Sequence, residues 1–360
     1  MKHIIFVDEN IPMLAEALKP CGEVIEYSGR KLSRNELIDS GCSALFVRST
    51  TNINSELLEG TTVRFVGSAT SGIDHVNVEY LSHNNITFAY APGSNANSVA
   101  EYVVYSILKW RNITKSEIQD KKIGVVGYGN IGKIVAKYSN YLGLKILLND
   151  PPLKDEYFVF PDFVKYAELD DICERSDIIT NHVPLTLDGS YQTHNLLNEQ
   201  NLKLIKPGSL FIHTSRGGVV DEKALISKHN EELLYTAIDV WENEPNINHE
   251  LMNKVMIATP HVAGYSRDGK IRGAKMMADA FKEFSELEPD YTEINQELSQ
   301  YKPLHSDIFS DYDKLYILLQ KSREIDEDTK NLRKILNASN GKTDVFDELR
   351  KTYPSRREIL

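Results

Sequence analysis

The sequence predicts an α/β protein with two doubly wound parallel sheets, followed by a smaller C-terminal part. Two observations carry that prediction. Apolar strand-like runs alternate with helix-like stretches over most of the chain, and each run ends in a polar or glycine-containing loop. In the middle, one glycine-rich turn joins such a run directly to an amphipathic stretch.

Taken in order, "HIIFVD", "CSALFVRST", "VRFVGSATSGID" and "ITFAYAPG" read as four buried strands within the first part of the chain. The third breaks into a glycine-containing turn, and the fourth is closed by Pro92 and Gly93. "SVAEYVVYSILKW" follows. Ser98 and Glu101 have the spacing of a capping box, which predicts a long, well-buried helix opening at Ser98. "KKIGVVGYGNIGKIVAKYSNYLGLKILLND" is then a complete strand–helix–strand unit. "SDIITNHVPL", "SLFIHTSRGGVVD", "LLYTAIDVW" and "KVMIATPHVAG" continue the pattern. From about Glu283 the composition turns polar and acidic, and "EFSELEPDYTEINQELSQYKP" reads as a connection. "DYDKLYILLQKSREIDEDTKNLRKILN" carries two helix-like patterns, and the chain closes on the basic "ELRKTYPSRREIL".

Length and composition bound the function. A chain of 360 residues implies two or three domains. Its 41% hydrophobic and 26% charged residues are those of a soluble globular protein. A net charge of −11 argues against nucleic acid as a partner, which needs a positive footprint. Cys21, Cys42 and Cys173 are scattered and odd in number, so neither a disulfide framework nor a metal cluster is expected, and a reducing cytoplasmic compartment is. The apolar start before Asp8 is too short for a signal-peptide core, and no run approaches a membrane span.

Gly127, Gly129 and Gly132 form G-x-G-x-x-G, a weak signal alone. Here an apolar strand precedes it, a helix follows, and the next strand ends at Asp150. The first glycine permits the tight turn. The second lets a pyrophosphate approach the helix N-terminus, and the third allows close helix–strand packing. Tyr128, Asn130 and Ile131 complete the loop. Asp150 is placed to accept from an adenosine ribose and to repel a 2′-phosphate, so NAD is expected rather than NADP. The plainer reading is that the glycines make a tight turn and nothing else.

Arg216, Glu244 and His261 each follow a strand-like run. Singly, each has an ordinary reading: a surface arginine, a solvated loop acid, a histidine satisfying local backbone. Together they fall at the strand ends where ligands of open parallel sheets sit. Hydride transfer from a secondary alcohol needs a base for the hydroxyl proton and a cation for a neighbouring carboxylate. A carboxylate beside the imidazole would fix its tautomer and stabilise its protonated form.

The succession "GYGNIG", "HVPLT", "SRGGVVDEKAL", "DVWENEP" and "TPHVAG" resembles the D-isomer-specific 2-hydroxyacid dehydrogenases. That resemblance implies that Arg216 binds the substrate carboxylate, that His261 is the acid/base and that Glu244 pairs with it. "VDENIP", "FVRSTT", "APGSNANSVAEYV", "NDPP", "HVAGYSRDGKIRGA" and the late "RRE" resemble one branch of the family more closely. Members of that branch oxidise 4-phospho-D-erythronate to (R)-3-hydroxy-2-oxo-4-phosphooxybutanoate in vitamin B6 biosynthesis. The closer resemblance implies substrate contacts from Ser49, Thr70 and Tyr265. It also implies that Thr214, Ser215, Arg216, Asp239 and Gly264 line the nicotinamide side, and that a homodimer forms through a small α+β C-terminal domain. The expected division is 1–94 with 265–287 as a lid domain, 95–264 as a Rossmann-like NAD domain, and 288–360 for dimerisation. A small phosphorylated 2-hydroxy acid needs a cationic pocket, for which Arg48, Arg356 and Arg357 are candidates, the last two from either a solvated tail or a partner subunit.

Two positions depart from the family pattern. His213 stands where many members have asparagine, and Val183 stands where some have threonine, leaving only a backbone contact to the cofactor. The alternatives are a related dehydrogenase of 3-phosphoglycerate or of an unphosphorylated 2-hydroxy acid, and an NADH-sensing interaction protein on the same fold.

Overall fold

The computed structural model describes residues 3–29, 31–338 and 344–360, which form two compact units. Unit 1 comprises residues 1–95 and 266–302, and unit 2 comprises 96–265 and 303–360.

Unit 1 is built on five parallel strands: β1 (His3–Asp8), β2 (Gly22–Tyr27), β3 (Ala44–Val47), β4 (Phe65–Ser68) and β5 (Thr87–Tyr90), in the order β2-β1-β3-β4-β5. Alternate side chains point to opposite faces, and both faces are apolar, as a sheet covered by helices requires. Ile5, Val7, Phe46 and Phe65 face the helix Arg267–Ser285, where Met277 and Phe281 pack on them. Phe6, Leu45, Val47 and Val66 face Leu37, Leu58 and Leu81 on the other side. Phe281 is fully buried and meets Phe46 and Phe65 edge-on, so truncating it to alanine would cost about 3–5 kcal/mol. The edge strand β2 is absent from the sequence expectation. Its "GEVIEY" has only two strongly apolar residues, and it is fixed by pairing with β1 rather than by its own pattern.

Unit 2 holds seven parallel strands. They are β6 (Lys122–Val126), β7 (Lys145–Asn149), β8 (Val164–Tyr166), β9 (Ile178–Asn181), β10 (Leu210–His213), β11 (Tyr235–Ile238) and β12 (Ile257–Ala258), in the order β12-β11-β10-β9-β6-β7-β8. The order reverses between β9 and β6, so the crevice above their carboxyl ends is the topological switch point. The short edge strand β8 was also unanticipated. One face of the sheet, through Ile123, Val125, Ile146, Ile178, Ile212 and Ile257, buries the helix Ala96–Thr114. The other, through Val126, Leu147, Ile179, Phe211 and Ile238, buries a second apolar cluster.

The helix Ala96–Thr114 corrects the capping-box expectation. Ser98 and Glu101 lie inside it, both fully buried, rather than at its start. Ser98 donates to the carbonyl of Ala263 at 2.8 Å, and Glu101 accepts from the backbone amide of Leu360 at 2.8 Å and from that of Ile359. Tertiary partners have taken the side chains that a cap would have used.

The C-terminal region differs from its reading in three ways. The stretch read as a connection holds the end of the helix Arg267–Ser285 and a further helix, Thr292–Leu298. Residues 288–302 group with unit 1 and 303–360 with unit 2. Among the described residues, 288–360 carries helices and no strand, so the α+β character expected there is replaced by an all-helical one. Tyr312–Arg323 packs Leu315 and Leu319 into the first cluster of unit 2. Ile325–Ala338 and Asp344–Lys351 bring Leu332, Leu336 and Phe346 into the second.

Cys21 and Cys42 in unit 1 and Cys173 in unit 2 are all free and buried. Among the described residues, no helix is long and apolar enough to cross a membrane.

Candidate active site

The glycine-rich turn leaves β6 and enters the helix Asn130–Tyr141. Gly127 has φ 92°, in the left-handed region, and a side chain there would strike His182 and Val183. A Cβ on Gly132 would lie 2.0 Å from the carbonyl oxygen of Gly127, so helix and strand pack directly backbone to backbone. A Cβ on Gly129 would meet nothing within 4 Å. That open space at a helix N-terminus is a cradle suited to a pyrophosphate. Tyr128 is buried, edge-on to Phe158 and Phe160, while Asn130 is exposed and Ile131 half-buried beside the turn.

Asp150 follows β7 directly. Its Oδ2 accepts from the amide of Tyr128 at 2.7 Å, and its Oδ1 accepts from Leu153 at 3.1 Å, capping the short helix Pro151–Asp155. The carboxylate is thereby fixed beside the glycine turn, where the ribose of a dinucleotide would lie. Across the switch point, β9 ends at Asn181, and the half-buried Val183 comes two residues later.

Loops after β10, β11 and β12 carry the remaining groups. Thr214 and Ser215 are buried, with Thr214 Oγ1 3.3 Å from His182 Nδ1 and Ser215 Oγ 3.4 Å from His213 Nδ1. Arg216 follows, half-buried, one of its nitrogens donating to the carbonyl of Ser215 at 2.8 Å. A Cβ on Gly217 would lie 2.0 Å from the carbonyl oxygen of Trp241, so only glycine lets the Arg216 turn press against the loop that carries Glu244.

His261 is positioned from several sides. Its own amide donates to the Asp239 carbonyl at 2.8 Å, extending the β11–β12 ladder past its last strand residue. The buried Asp239 carboxylate accepts from the amides of Val262 at 2.7 Å and Ala263 at 3.0 Å, and from the Thr259 hydroxyl at 2.6 Å. The Ala263 carbonyl is held by Ser98 and by Arg323, each at 2.8 Å. The loop turns at Gly264, with the Tyr265 amide donating to the Val262 carbonyl at 2.8 Å. So fixed, His261 adopts φ 56°, a left-handed conformation uncommon for histidine.

His261 Nδ1 lies 2.8 Å from Glu244 Oε2. The other Glu244 oxygen accepts from the Trp241 amide at 2.9 Å. Burial pushes the Glu244 carboxyl up, but the His261 charge and hydrogen bond, the Trp241 amide and the Arg350 guanidinium outweigh it and hold it below the usual carboxylate range. With Nδ1 committed to Glu244, Nε2 is the nitrogen left to exchange a proton. Both side chains keep some access to solvent, 30% for the imidazole and 20% for the carboxylate.

The C-terminal tail is not a solvated run. Arg356 is buried and forks onto Asp328 at 2.7 and 2.9 Å, which commits it to an ion pair within the chain rather than to a phosphate. Arg357 is half-buried. In unit 1, Arg48 is tied to the buried Asp8 at 3.3 Å, Ser49 is exposed, and Thr70 donates to the Gly72 carbonyl at 2.9 Å.

Two groups near the His261 loop escaped the sequence reading. Arg323, fully buried, braces the loop and lies 3.7 Å from Glu101. Arg350, in the last turn of Asp344–Lys351, lies within electrostatic reach of Tyr265 and Glu244. Nothing in their local sequence marks either one, since both sit in polar helical stretches indistinguishable from a solvated face.

Comparison with known proteins fits this geometry. Residues 97–263 match the D-isomer specific 2-hydroxyacid dehydrogenase, NAD binding domain. The chain is 39% identical over 355 residues to erythronate-4-phosphate dehydrogenase of Proteus mirabilis, covering 98% of this chain and 92% of that one. The chain belongs to the erythronate-4-phosphate dehydrogenase family. The member of that family from Bacteroides thetaiotaomicron is 36% identical over 355 residues, covering 98% of this chain and 97% of the relative. Among solved structures, NAD+-bound 3-phosphoglycerate dehydrogenase of Entamoeba histolytica shares the fold with a TM-score of 0.66 at 24% identity, over 79% of this chain and 96% of that one. D-lactate dehydrogenase of Aquifex aeolicus, complexed with NAD and lactic acid, does so with a TM-score of 0.62 at 25% identity, over 79% and 96%. As a member of the erythronate-4-phosphate dehydrogenase family the chain is an NAD-dependent dehydrogenase acting on a CH–OH group.

Proposed function

We propose that this dehydrogenase oxidises the C2 hydroxyl of 4-phospho-D-erythronate to the 2-oxo acid, within pyridoxal 5′-phosphate biosynthesis. The observation that carries the mechanism is the 2.8 Å pair between His261 and Glu244, mounted beyond the carboxyl ends of β11 and β12. The substrate assignment rests on relatives of 36–39% identity across 98% of the chain.

His261 Nε2 takes the C2 hydroxyl proton as the C2–H bond breaks and the carbonyl forms. When bound, NAD supplies the acceptor for the C2 hydride. Gly127–Gly132, Asp150, Val183, Thr214 and Ser215 would hold that cofactor. Glu244 keeps the imidazole in one tautomer and stabilises its protonated form. Arg216 clamps the substrate carboxylate with its planar fork and orients C2. Asp239 acts through the loop, fixing His261 by its backbone. Ser49, Thr70 and Tyr265 join the proposal as substrate contacts on family resemblance alone, as does Arg357 as a phosphate contact.

The decisive experiment is a panel of 2-hydroxy acids with and without a terminal phosphate, followed at the NADH absorbance for the wild type and His261→Gln. The proposal expects preference for 4-phospho-D-erythronate and loss of turnover in the variant. Near-normal turnover in His261→Gln removes the histidine from the chemistry. We propose further that the protein is a homodimer joined through its C-terminal helices, and a monomeric mass by light scattering would refute that.

A further inference from the structure

We propose that Arg350 is a specificity residue that grips the phosphate of the substrate. The inference rests on the functional reading above and extends it to a group supplied by the C-terminal helices.

The helix Asp344–Lys351 is anchored by Phe346, fully buried, together with Val345 and Leu349, against the cluster that contains Trp241, Ile247 and Ala258. That packing sets the helix beside the loop that carries Glu244. Three residues past Arg350, Tyr353 meets Tyr265 edge-on at 5.8 Å and donates to Asp328 at 2.7 Å. Asp328 in turn is forked by Arg356. The position of Arg350 is therefore determined from both ends, by an apolar anchor before it and an ion-pair network after it.

Among the described residues, four arginines carry an Nε shut off from solvent without a hydrogen-bond partner: Arg111, Arg323, Arg350 and Arg356. Three of them have an anionic partner for the rest of the guanidinium. Arg111 has Asp313, Arg323 has Glu101, and Arg356 has Asp328. Among the described residues, Arg350 alone of the four has no carboxylate at ion-pair distance, with Tyr265, Glu244 and Asp347 in its electrostatic surroundings. A half-buried cation with an unfilled donor is costly unless a ligand completes it. The ligand in this site is an acid with two anionic ends, and Arg216 on the loop after β10 accounts for one. Arg350 belongs to a separate element, the helix packed beside the loop that carries Glu244, and a guanidinium fork suits the phosphate that remains.

The test uses the full-length enzyme as wild type, Arg350→Met and Arg350→Lys. Each is assayed with saturating NAD on 4-phospho-D-erythronate and on D-erythronate, which lacks only the phosphate. The proposal expects Arg350→Met to lower the ratio of kcat/KM for the phosphorylated over the plain acid about 10- to 100-fold, mostly through KM. Arg350→Lys should lose less, keeping the charge without the fork, and it carries the test alone if the methionine variant fails to fold. An unchanged ratio overturns the proposal, as does an equal loss on both acids, which would mark Arg350 as a support for Glu244. If the wild type shows no preference for the phosphorylated acid, the functional reading fails separately, and inorganic phosphate then decides. Added with NADH in a thermal-shift assay, it should stabilise the wild type more than the variants, whereas equal stabilisation of all three proteins overturns the assignment.

Discussion

The imidazole of His261 and the carboxylate of Glu244 meet at 2.8 Å across two loops that belong to neighbouring strands of one sheet. Glu244 reaches the ring only because its second oxygen is pinned to the Trp241 amide, which keeps it from turning to solvent. Glu244→Gln preserves the shape of this pair and removes its charge. The expected outcome is a fall in kcat of about 10²-fold or more, with the KM for NAD little changed. Steady-state kinetics on the purified variant checks it.

Gly129 and Gly132 should separate binding from folding. Gly129→Ala adds a methyl group to open space at φ −75°, so the variant should fold normally while its KM for NAD rises about tenfold, roughly 1.4 kcal/mol. Gly132→Ala drives a methyl group into the Gly127 carbonyl and should cost about 1–3 kcal/mol of stability. Denaturant titration of both variants, beside cofactor kinetics on the first, distinguishes the two roles.

Asp150 should determine cofactor choice. Asp150→Ser retains an N-cap for the Leu153 amide and removes the charge that opposes a 2′-phosphate. The ratio of kcat/KM for NADP over NAD should rise about tenfold or more, equivalent to about 1.4 kcal/mol. Parallel assays with the two cofactors measure it.

His213 should contribute to acid sensitivity. It is 2% exposed, and burial pushes its pKa from 6.5 down to about 3, with Glu244 countering the shift and His261 adding to it. Between those values the unfolded chain binds a proton that the folded chain refuses. Stability is therefore fully present above pH 6.5 and declines as pH falls towards 3, by as much as about 1.4 kcal/mol per pH unit from this one group. His213→Asn can still meet Asn181 and should flatten the decline, as urea titrations from pH 7 down to 4.5 would record.

The glycine turn and the strand ends were legible because local spacing dictates them, whereas Arg216, Glu244 and His261 stood out only by their shared place after strands and by family resemblance. A tight strand–turn–helix junction needs its glycines whatever surrounds it. The Ser98–Glu101 spacing misled for the opposite reason: its meaning depended on Ala263, Ile359 and Leu360, far away in sequence. The edge strands β2 and β8 were missed because an edge borrows its conformation from the neighbour that pairs with it. Arg323, Arg350 and Arg356 could not be read from "SREID" or "ELRKTYPSRRE", since a buried arginine and a solvated one look alike until the element carrying them is docked.

The three buried thiols turn the molecule into its own reporter of opening. Burial raises all of them, Cys42 and Cys173 to about 12, so an alkylating reagent at neutral pH meets almost no thiolate in the folded protein. Because Cys21 and Cys42 belong to one unit and Cys173 to the other, mass-resolved pulse labelling would time the exposure of each unit separately, without adding a probe to the chain.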